Sequence, residues 1–187
     1  MACDSPYYTT MANMQKVPVP CGRCPPCRKT RINQWVFRLQ QEDKIAVSSF
    51  FVTLTYDMDT LPESENGYMT LVPRDLTLFF KRLRRLDEKF QKRIEAERPS
   101  YDSGAKPKIK YYAVGEYGAN FKRPHYHAII FNCHSPHLQK AWSLGHVHID
   151  QVTGDSIAYT AKYIDKGRTV PAFENDDREK EDRKSVV

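Results

Sequence analysis

The chain has 187 residues, of which 40% are hydrophobic and 28% charged, enough for one domain with its own core plus terminal arms. No run approaches the ~20 apolar residues of a membrane span, and the N-terminus lacks a basic and then apolar signal pattern, so we expect a cytosolic protein without membrane contact. The net charge of +6 and an isoelectric point of about 9.0 favour a polyanionic partner, although a solvated surface alone explains many such excesses.

Residues 1–27 form an N-terminal arm that carries a cysteine cluster. Cys21, Cys24 and Cys27 make two overlapping Cys-x-x-Cys steps, which are typical of a zinc knuckle because the turn brings neighbouring thiolates onto one tetrahedral ion. A structural site needs four ligands, and Cys3 is the other nearby thiol. Five cysteines, an odd number, fit metal or free thiols better than disulfides. We predict structural Zn²⁺ here, with reduced cysteines in a tight turn as the alternative.

A basic helix is predicted next, from about Pro26 to Lys44. Its apolar residues recur with helical spacing, whereas most of its arginines and lysines fall on other sides. Such a helix is most often simply docked on a core. Contact with a phosphate backbone is the functional alternative.

The first strand of the main domain is predicted over Phe50–Tyr56, which is β-branched and aromatic throughout. After a polar loop, a long amphipathic helix is predicted from Pro73 to about Arg98. Proline suits the first helical position, and Asp75 in the first turn is favoured by the helix dipole.

Two further strands, Lys108–Glu116 and Arg123–Phe131, are separated by a short polar loop, which predicts an antiparallel hairpin. Side chains alternate along a strand, so His125 and His127 project from one face. Glu116 closes the partner strand, and the hairpin would bring it beside the two histidines.

The remaining elements are a short helix over His137–Trp142, a strand over Gly145–Gln151 and a helix over Asp155–Lys166. The resulting order, β-α-β-β-α-β-α, predicts an α+β fold: a ferredoxin/RRM-like antiparallel sheet with packed helices and one added C-terminal helix. We assign residues 28–166 to this domain. The charged residues 167–187 are predicted to be a disordered tail.

The histidine strand is the candidate metal site. Two imidazoles on one strand face can reach one ion, and Glu116 would add a harder ligand beside His125 and His127. Mixed imidazole and carboxylate ligation suits Mn²⁺ or Mg²⁺ with positions open for phosphate oxygens. A hydrogen-bonded histidine pair and a charged turn glutamate are the alternatives, and His146 with His148 forms a rival pair.

The last predicted helix carries the candidate nucleophiles. At ~100° per residue, Tyr159, Lys162, Tyr163 and Lys166 fall within an arc of about 100°, on the side opposite the apolar residues. A tyrosine hydroxyl has a pKa of about 10 and is a weak nucleophile near pH 7, so it needs help. A lysine one turn away can stabilise developing charge, and a metal ion can polarise the phosphate under attack.

Three stretches in this order resemble the motifs of the HUH endonucleases that initiate rolling-circle replication. They are Phe-Val-Thr-Leu-Thr at residues 51–55, Pro-His-Tyr-His at 124–127, and Tyr-Thr-Ala-Lys-Tyr-Ile-Asp-Lys at 159–166. The doubled tyrosine is similar to the two-tyrosine branch. Residues 21–27, 75–83 and 110–118 further resemble the replication initiators of small single-stranded DNA phages, the gokushovirus group of microviruses.

This resemblance implies an HUH fold and nicking of a single-stranded replication origin, with a 5′-phosphotyrosine intermediate and a free 3′-OH for the host replication machinery in the bacterial cytoplasm. It implies His125, His127 and Glu116 as metal ligands. It also implies Tyr159 and Tyr163 as nucleophiles, with Lys162 and Lys166 as their helpers. Family members extend beyond the point where this chain ends, so we expect any later helix or partner-binding segment to be missing.

Two other functions compete with the nickase. One is a non-catalytic module that binds single-stranded DNA through a basic sheet, exposed aromatics and a zinc knuckle. The paired tyrosines and lysines argue against it, because base stacking does not require a lysine three residues after each tyrosine. The other is a one-tyrosine HUH transposase or relaxase, which would leave one tyrosine dispensable.

Overall fold

The structure is a computed structural model and describes residues 3–97, 107–163 and 172–180 and the backbone of 183–186. Its elements in chain order are β1 Tyr7–Thr10, β2 Lys16–Val19, α1 Pro25–Ile45, β3 Ser49–Thr55, a 3₁₀ turn Met58–Thr60, α2 Pro73–Glu97, β4 Lys110–Tyr117, β5 Pro124–Phe131, α3 Pro136–Ala141, β6 Val147–Gln151, α4 Gly154–Lys162 and β7 Arg183–Val186.

Four strands form the core sheet, in the order β6-β3-β5-β4, and every neighbouring pair is antiparallel. Numbered from β3, this is the order fourth, first, third, second, which the β-α-β-β-α-β sequence of elements produces. The predicted α+β, ferredoxin-like antiparallel fold is therefore confirmed. β7 extends the sheet at the β4 edge.

The sheet is covered on both faces, and the alternation along β5 explains how. Ala128 and Ile130 are buried in the core beneath α2 and α3, whereas Ile129 and Phe131 are buried in a second core beneath α1 and α4. His127 shares the second face, since its position differs from Ile129 by two residues. The histidine strand thus presents its imidazoles to the side of the sheet on which α4 lies.

The helix α2 begins at Pro73, as predicted, and buries residues spaced along one side. Its buried apolar side chains are Leu76, Phe79, Phe80 and Leu83. Phe80 also stacks on Tyr111 of β4 with ring centroids 3.5 Å apart. Burial of each such side chain is worth roughly 1.5–3 kcal/mol, so this helix supplies much of the core under one face of the sheet.

The N-terminal arm contains an antiparallel hairpin that we did not predict. β1 pairs with β2 from Tyr7 opposite Val19 to Thr10 opposite Lys16. Its side chains are almost entirely exposed, so no alternation of buried and exposed positions marks it in the sequence. Pro18, which we expected to keep the chain extended before Cys21, lies within β2.

Part of the tail predicted to be disordered is folded against the domain. The Asp176 carboxylate is buried and accepts two hydrogen bonds from Arg178, at 2.7 and 2.6 Å. The Glu179 backbone bonds Thr70 and Tyr117, and residues 183–186 pair with β4. The prediction is wrong for these residues because the partners of a charged segment, here a sheet edge and a loop, are invisible in its composition.

No helix in the described part of the chain is both long enough and apolar enough to span a membrane.

Candidate active site

The β4–β5 hairpin brings the predicted ligands together. Glu116 lies directly opposite His125 in the register, and His127 lies opposite Val114. This confirms the predicted hairpin, which was the condition for preferring Glu116 over an ordinary charged turn residue. Glu116 is buried, and the two imidazoles are partly buried beside it.

Hydrogen bonds to Nδ1 orient both imidazoles. His125 Nδ1 lies 3.1 Å from the carbonyl oxygen of Arg123, and a carbonyl only accepts, so Nδ1 of this ring carries the proton. His127 Nδ1 lies 3.0 Å from the Thr53 hydroxyl on the adjacent strand. In the neutral His125 ring the Nε2 lone pair is therefore left for a ligand, and the Thr53 hydroxyl allows the same tautomer at His127.

The donor atoms converge on a single point. The Glu116 Oε2 atom lies 3.4 Å from Nε2 of His125 and 3.4 Å from Nε2 of His127. One ligand atom from each of the three residues lies within 4.8 Å of the other two. Two imidazoles and a carboxylate at this spacing fit a divalent cation such as Mn²⁺ or Mg²⁺, with further positions open for oxygen ligands.

The helix α4 places both tyrosines over these donors. The helix begins with a capping box, in which the Thr153 side chain accepts from the Ser156 backbone and the Ser156 side chain accepts from the Thr153 backbone. Buried Ile157 and Ala161 anchor it to the sheet.

The two tyrosine hydroxyls and the carboxylate form one hydrogen-bonded group. Tyr159 Oη and Tyr163 Oη both donate to Glu116 Oε2, the first at 3.4 Å. The Tyr163 hydroxyl also lies 2.7 Å from the Tyr159 hydroxyl. Both candidate nucleophiles therefore reach the point at which the metal donors meet.

The environments of the two tyrosines differ. We expected both on one exposed face, but only Tyr159 is exposed, at 41%, whereas Tyr163 is half-buried against the core beneath α1 and α4. Burial, followed by the hydrogen bond to Glu116, raises the pKa of Tyr163 well above its usual value. The side of α4 that faces the sheet is thus wider than its apolar residues alone indicate.

The lysines are less well defined. Lys162 is the last residue of α4, and its side chain is exposed. Lys166 lies outside the described residues. The rival pair, His146 and His148, is exposed, and His148 bonds Asp150 at 3.0 Å. Among the described residues this pair joins no group of three metal-ligating side chains.

The four cysteines of the predicted zinc site also come together. One sulfur atom from each of Cys3, Cys21, Cys24 and Cys27 lies within 4.8 Å of the other three. The backbone N–H groups of Arg23 and then Cys24 donate to the Cys21 sulfur and lower the pKa of Cys21 to about 6. Sulfur atoms at this spacing, one of them stabilised as thiolate, fit a tetrahedral zinc ion.

Sequence reasoning missed two residues of this site. Thr53 hydrogen-bonds His127, and Phe51 stacks on the same imidazole with ring centroids 5.6 Å apart. Both belong to the strand that resembles the first family motif. Their alternation with Val52 and Leu54 was the available signal, because it places them on the face opposite those buried residues.

Comparisons with known proteins agree with this arrangement. The family model for replication-associated protein ORF2 matches residues 49–168, from β3 to beyond the described part of α4. Replication-associated protein VP4 of Bdellovibrio phage phiMH2K is 30% identical over 165 residues, which cover 79% of this chain and 48% of the relative. Replication-associated protein ORF2 of Spiroplasma virus 4 is 32% identical over 167 residues, again 79% of this chain and 48% of the relative.

A third relative, replication-associated protein ORF4 of Chlamydia phage 1, is 28% identical over 171 residues, which cover 80% of this chain and 38% of the relative. The chain therefore spans about half the length of the first two relatives, and less of the third. No solved structure was found to match it. The family match covers the core sheet, the candidate metal ligands and both tyrosines, and the chain belongs to the ORF2 family of replication-associated proteins.

Proposed function

We propose that this protein is a replication initiator that nicks single-stranded DNA at an origin by attack of a tyrosine hydroxyl on a phosphodiester. The observation that carries the proposal is the convergence of two tyrosine hydroxyls on Glu116, at the point where His125 and His127 also present Nε2. Family membership supports a role in replication.

The proposed reaction exchanges one ester bond to phosphorus for another. The tyrosine oxygen forms a bond to phosphorus while the bond from phosphorus to the 3′ oxygen breaks. The tyrosine loses its proton, and the departing 3′ oxygen gains one. The products are a 5′-phosphotyrosine on the protein and a free 3′-OH, which the host polymerase can extend.

Each residue of the site has a proposed part in that reaction. His125, His127 and Glu116 would hold Mn²⁺ or Mg²⁺, which when bound polarises the phosphate and offsets the charge that develops on its oxygens. Glu116 accepts hydrogen bonds from both tyrosines, so it fixes their hydroxyls close to the scissile phosphate. Lys162 and Lys166 are proposed to stabilise the developing negative charge from the solvent side.

The proposal extends to the partners and to the place of action. A free 3′-OH has value only beside a polymerase, so we propose the host replication machinery as a partner and the bacterial cytoplasm as the location. Because the chain spans about half the length of two relatives, these partners are proposed for the replication-associated proteins as a class.

The decisive experiment is a search for the covalent intermediate. The full chain is incubated with a library of single-stranded oligonucleotides of random central sequence, with Mn²⁺ or Mg²⁺. Adducts that survive denaturing electrophoresis are collected, and their DNA is sequenced. We expect a metal-dependent adduct on Tyr159 or Tyr163, enriched for one sequence.

The Tyr159→Phe/Tyr163→Phe double variant is the matched control, since it keeps both rings and removes both nucleophiles. DNA retained without any adduct, with either metal, would overturn the nickase and favour a non-catalytic single-strand-binding module. An adduct that persists in the double variant would move the nucleophile to another residue.

A further inference from the structure

The hairpin formed by β1 and β2, residues 7–19, is here called the N-terminal ribbon. Both of its faces are largely uncovered, and Tyr7 and Tyr8 are 59% and 70% exposed. Adjacent residues of a strand point to opposite faces, so each face carries one aromatic ring. Two isolated strands are only marginally stable in water, which means that something else must hold the ribbon in place.

The four-cysteine cluster supplies that attachment. Cys3 precedes the ribbon, whereas Cys21, Cys24 and Cys27 follow it, and all four sulfur atoms gather at one point. A zinc ion bound to these thiolates would close the chain at the base of the ribbon. It would also join that base to the first turn of α1, because Cys27 lies in this helix.

The direction of α1 puts this base near the candidate active site. Near its C-terminal end, Glu42 bonds Lys110 at 2.6 Å, and further back Trp35 packs on Tyr112 with ring centroids 5.0 Å apart. Moving back along α1 therefore means moving along β4 towards Glu116. From Trp35 to Cys27 the helix rises about 12 Å, and from Tyr112 to Glu116 the strand advances about 13 Å.

The charge of this region suits a nucleic acid. Residues 1–45 contain seven lysines and arginines against three aspartates and glutamates, a net charge of +4 out of the chain's +6. Exposed aromatic rings beside a positively charged surface are the features with which proteins bind single strands without sequence preference. A single strand that reaches the tyrosine site also supplies the unpaired bases that such rings can stack on.

We propose that the N-terminal ribbon binds single-stranded DNA by stacking bases on Tyr7 or Tyr8, and that a zinc ion on Cys3, Cys21, Cys24 and Cys27 holds it beside the tyrosine site. The location of the strand rests on the proposed function. The binding itself does not, and it is measured separately from cleavage.

The test is the affinity of the full zinc-loaded chain for a fluorescent oligothymidylate, measured by anisotropy at one fixed salt concentration. Tyr7→Ala/Tyr8→Ala should weaken binding about fivefold or more, since one stacked base is worth ~1–3 kcal/mol. Tyr7→Phe/Tyr8→Phe should keep the affinity because the rings remain. The two single alanine variants show which face the strand crosses. Phe37→Ala, which removes a 62% exposed ring of α1 outside the ribbon, is the control and should bind normally.

Zinc is tested in parallel. Elemental analysis should find one zinc per chain in protein purified without chelator. Cys24→Ser should lower the affinity as far as the alanine pair does, and serine is a good N-cap, so α1 keeps its first turn. Normal affinity in the alanine pair, or protein without zinc, would overturn the inference. A chain that forms no covalent adduct but shows these affinity changes would refute the nickase and support the ribbon.

Discussion

Thr53 is the residue through which the neighbouring strand orients His127, at 3.0 Å from its Nδ1. Thr53→Val keeps the shape of the side chain and removes this hydrogen bond, so the imidazole loses the partner that directs Nε2 towards the metal. We expect about tenfold weaker Mn²⁺ binding, measured by calorimetry, with the unfolding transition little changed. Thr53→Ser, which retains the hydroxyl, should bind Mn²⁺ nearly as well as the wild type. Equal weakening in both variants would mean that packing, and not the hydrogen bond, positions the ring.

The metal ligands themselves give a stronger prediction. His125→Ala together with His127→Ala should abolish both Mn²⁺ binding and adduct formation while leaving the circular dichroism of the fold largely intact, because neither imidazole is fully buried. His146→Ala with His148→Ala is the matched control, since it removes an exposed pair outside the cluster. Undiminished Mn²⁺ affinity in the first variant, with loss in the second, would transfer the site to the rival pair.

At this scale the sequence predicted the ligands but not their supports. Glu116 could be found because a short loop implies a hairpin, and the hairpin register then fixes its neighbour. Thr53 and Phe51 could not be assigned, because the position of β3 beside β5 depends on a crossover between distant segments. The half-burial of Tyr163 escaped for the same reason, since it depends on how α4 sits on the sheet.

Among the turns, the one before β6 depends on a single glycine. Gly145 has a φ of +156°, and a Cβ there would lie 2.2 Å from the Thr55 carbonyl oxygen and 2.6 Å from the Asp57 backbone nitrogen. Backbone atoms cannot move aside as a flexible side chain can. Gly145→Ala should therefore cost about 3 kcal/mol or more of unfolding free energy, measured by urea denaturation.

Gly154 provides the control for that substitution. It begins α4, and a Cβ there meets nothing within 4 Å. Gly154→Ala should be neutral or stabilise the protein by about 0.5 kcal/mol, because alanine restricts the unfolded chain. A Gly145→Ala variant as stable as Gly154→Ala would show that the turn between α3 and β6 relaxes freely.

Elements with a buried face were predictable, and those without one were not. Two helices and two strands with strong apolar patterns, α1, α2, β3 and β5, lie within one or two residues of their predicted bounds. The N-terminal ribbon and β7 lack such a pattern. The ribbon is exposed on both faces, and β7 is recruited by the open edge of β4. Their presence follows from tertiary context, which local periodicity does not record.

The site as a whole is assembled from strands and a helix that are far apart in the chain. β3 supplies Thr53, the β4–β5 hairpin supplies the three metal donors, and α4 supplies the tyrosines. One face of one sheet therefore combines all three stretches that resemble the family motifs. This explains why their order, and not any single motif, was the informative signal.

The arrangement of the two tyrosines bears on the whole reaction cycle. Rolling-circle replication ends by rejoining the strand that the first tyrosine opened, while a new strand must be cut, and a tyrosine that already carries DNA cannot make the second cut. Tyr159 and Tyr163 have hydroxyls 2.7 Å apart and share one acceptor, Glu116, so either could reach the same phosphate.

Tyr159→Phe and Tyr163→Phe should consequently each still form a covalent adduct with an origin strand, and each should fail at successive cleavage and rejoining. We expect more adduct from Tyr163→Phe, which retains the more exposed Tyr159. Denaturing gels of one strand, followed by a chase with a second labelled strand, separate the two steps. If one single variant loses all adduct while the other completes the cycle, the enzyme works with one tyrosine, and the remaining tyrosine serves only to hold Glu116 in place.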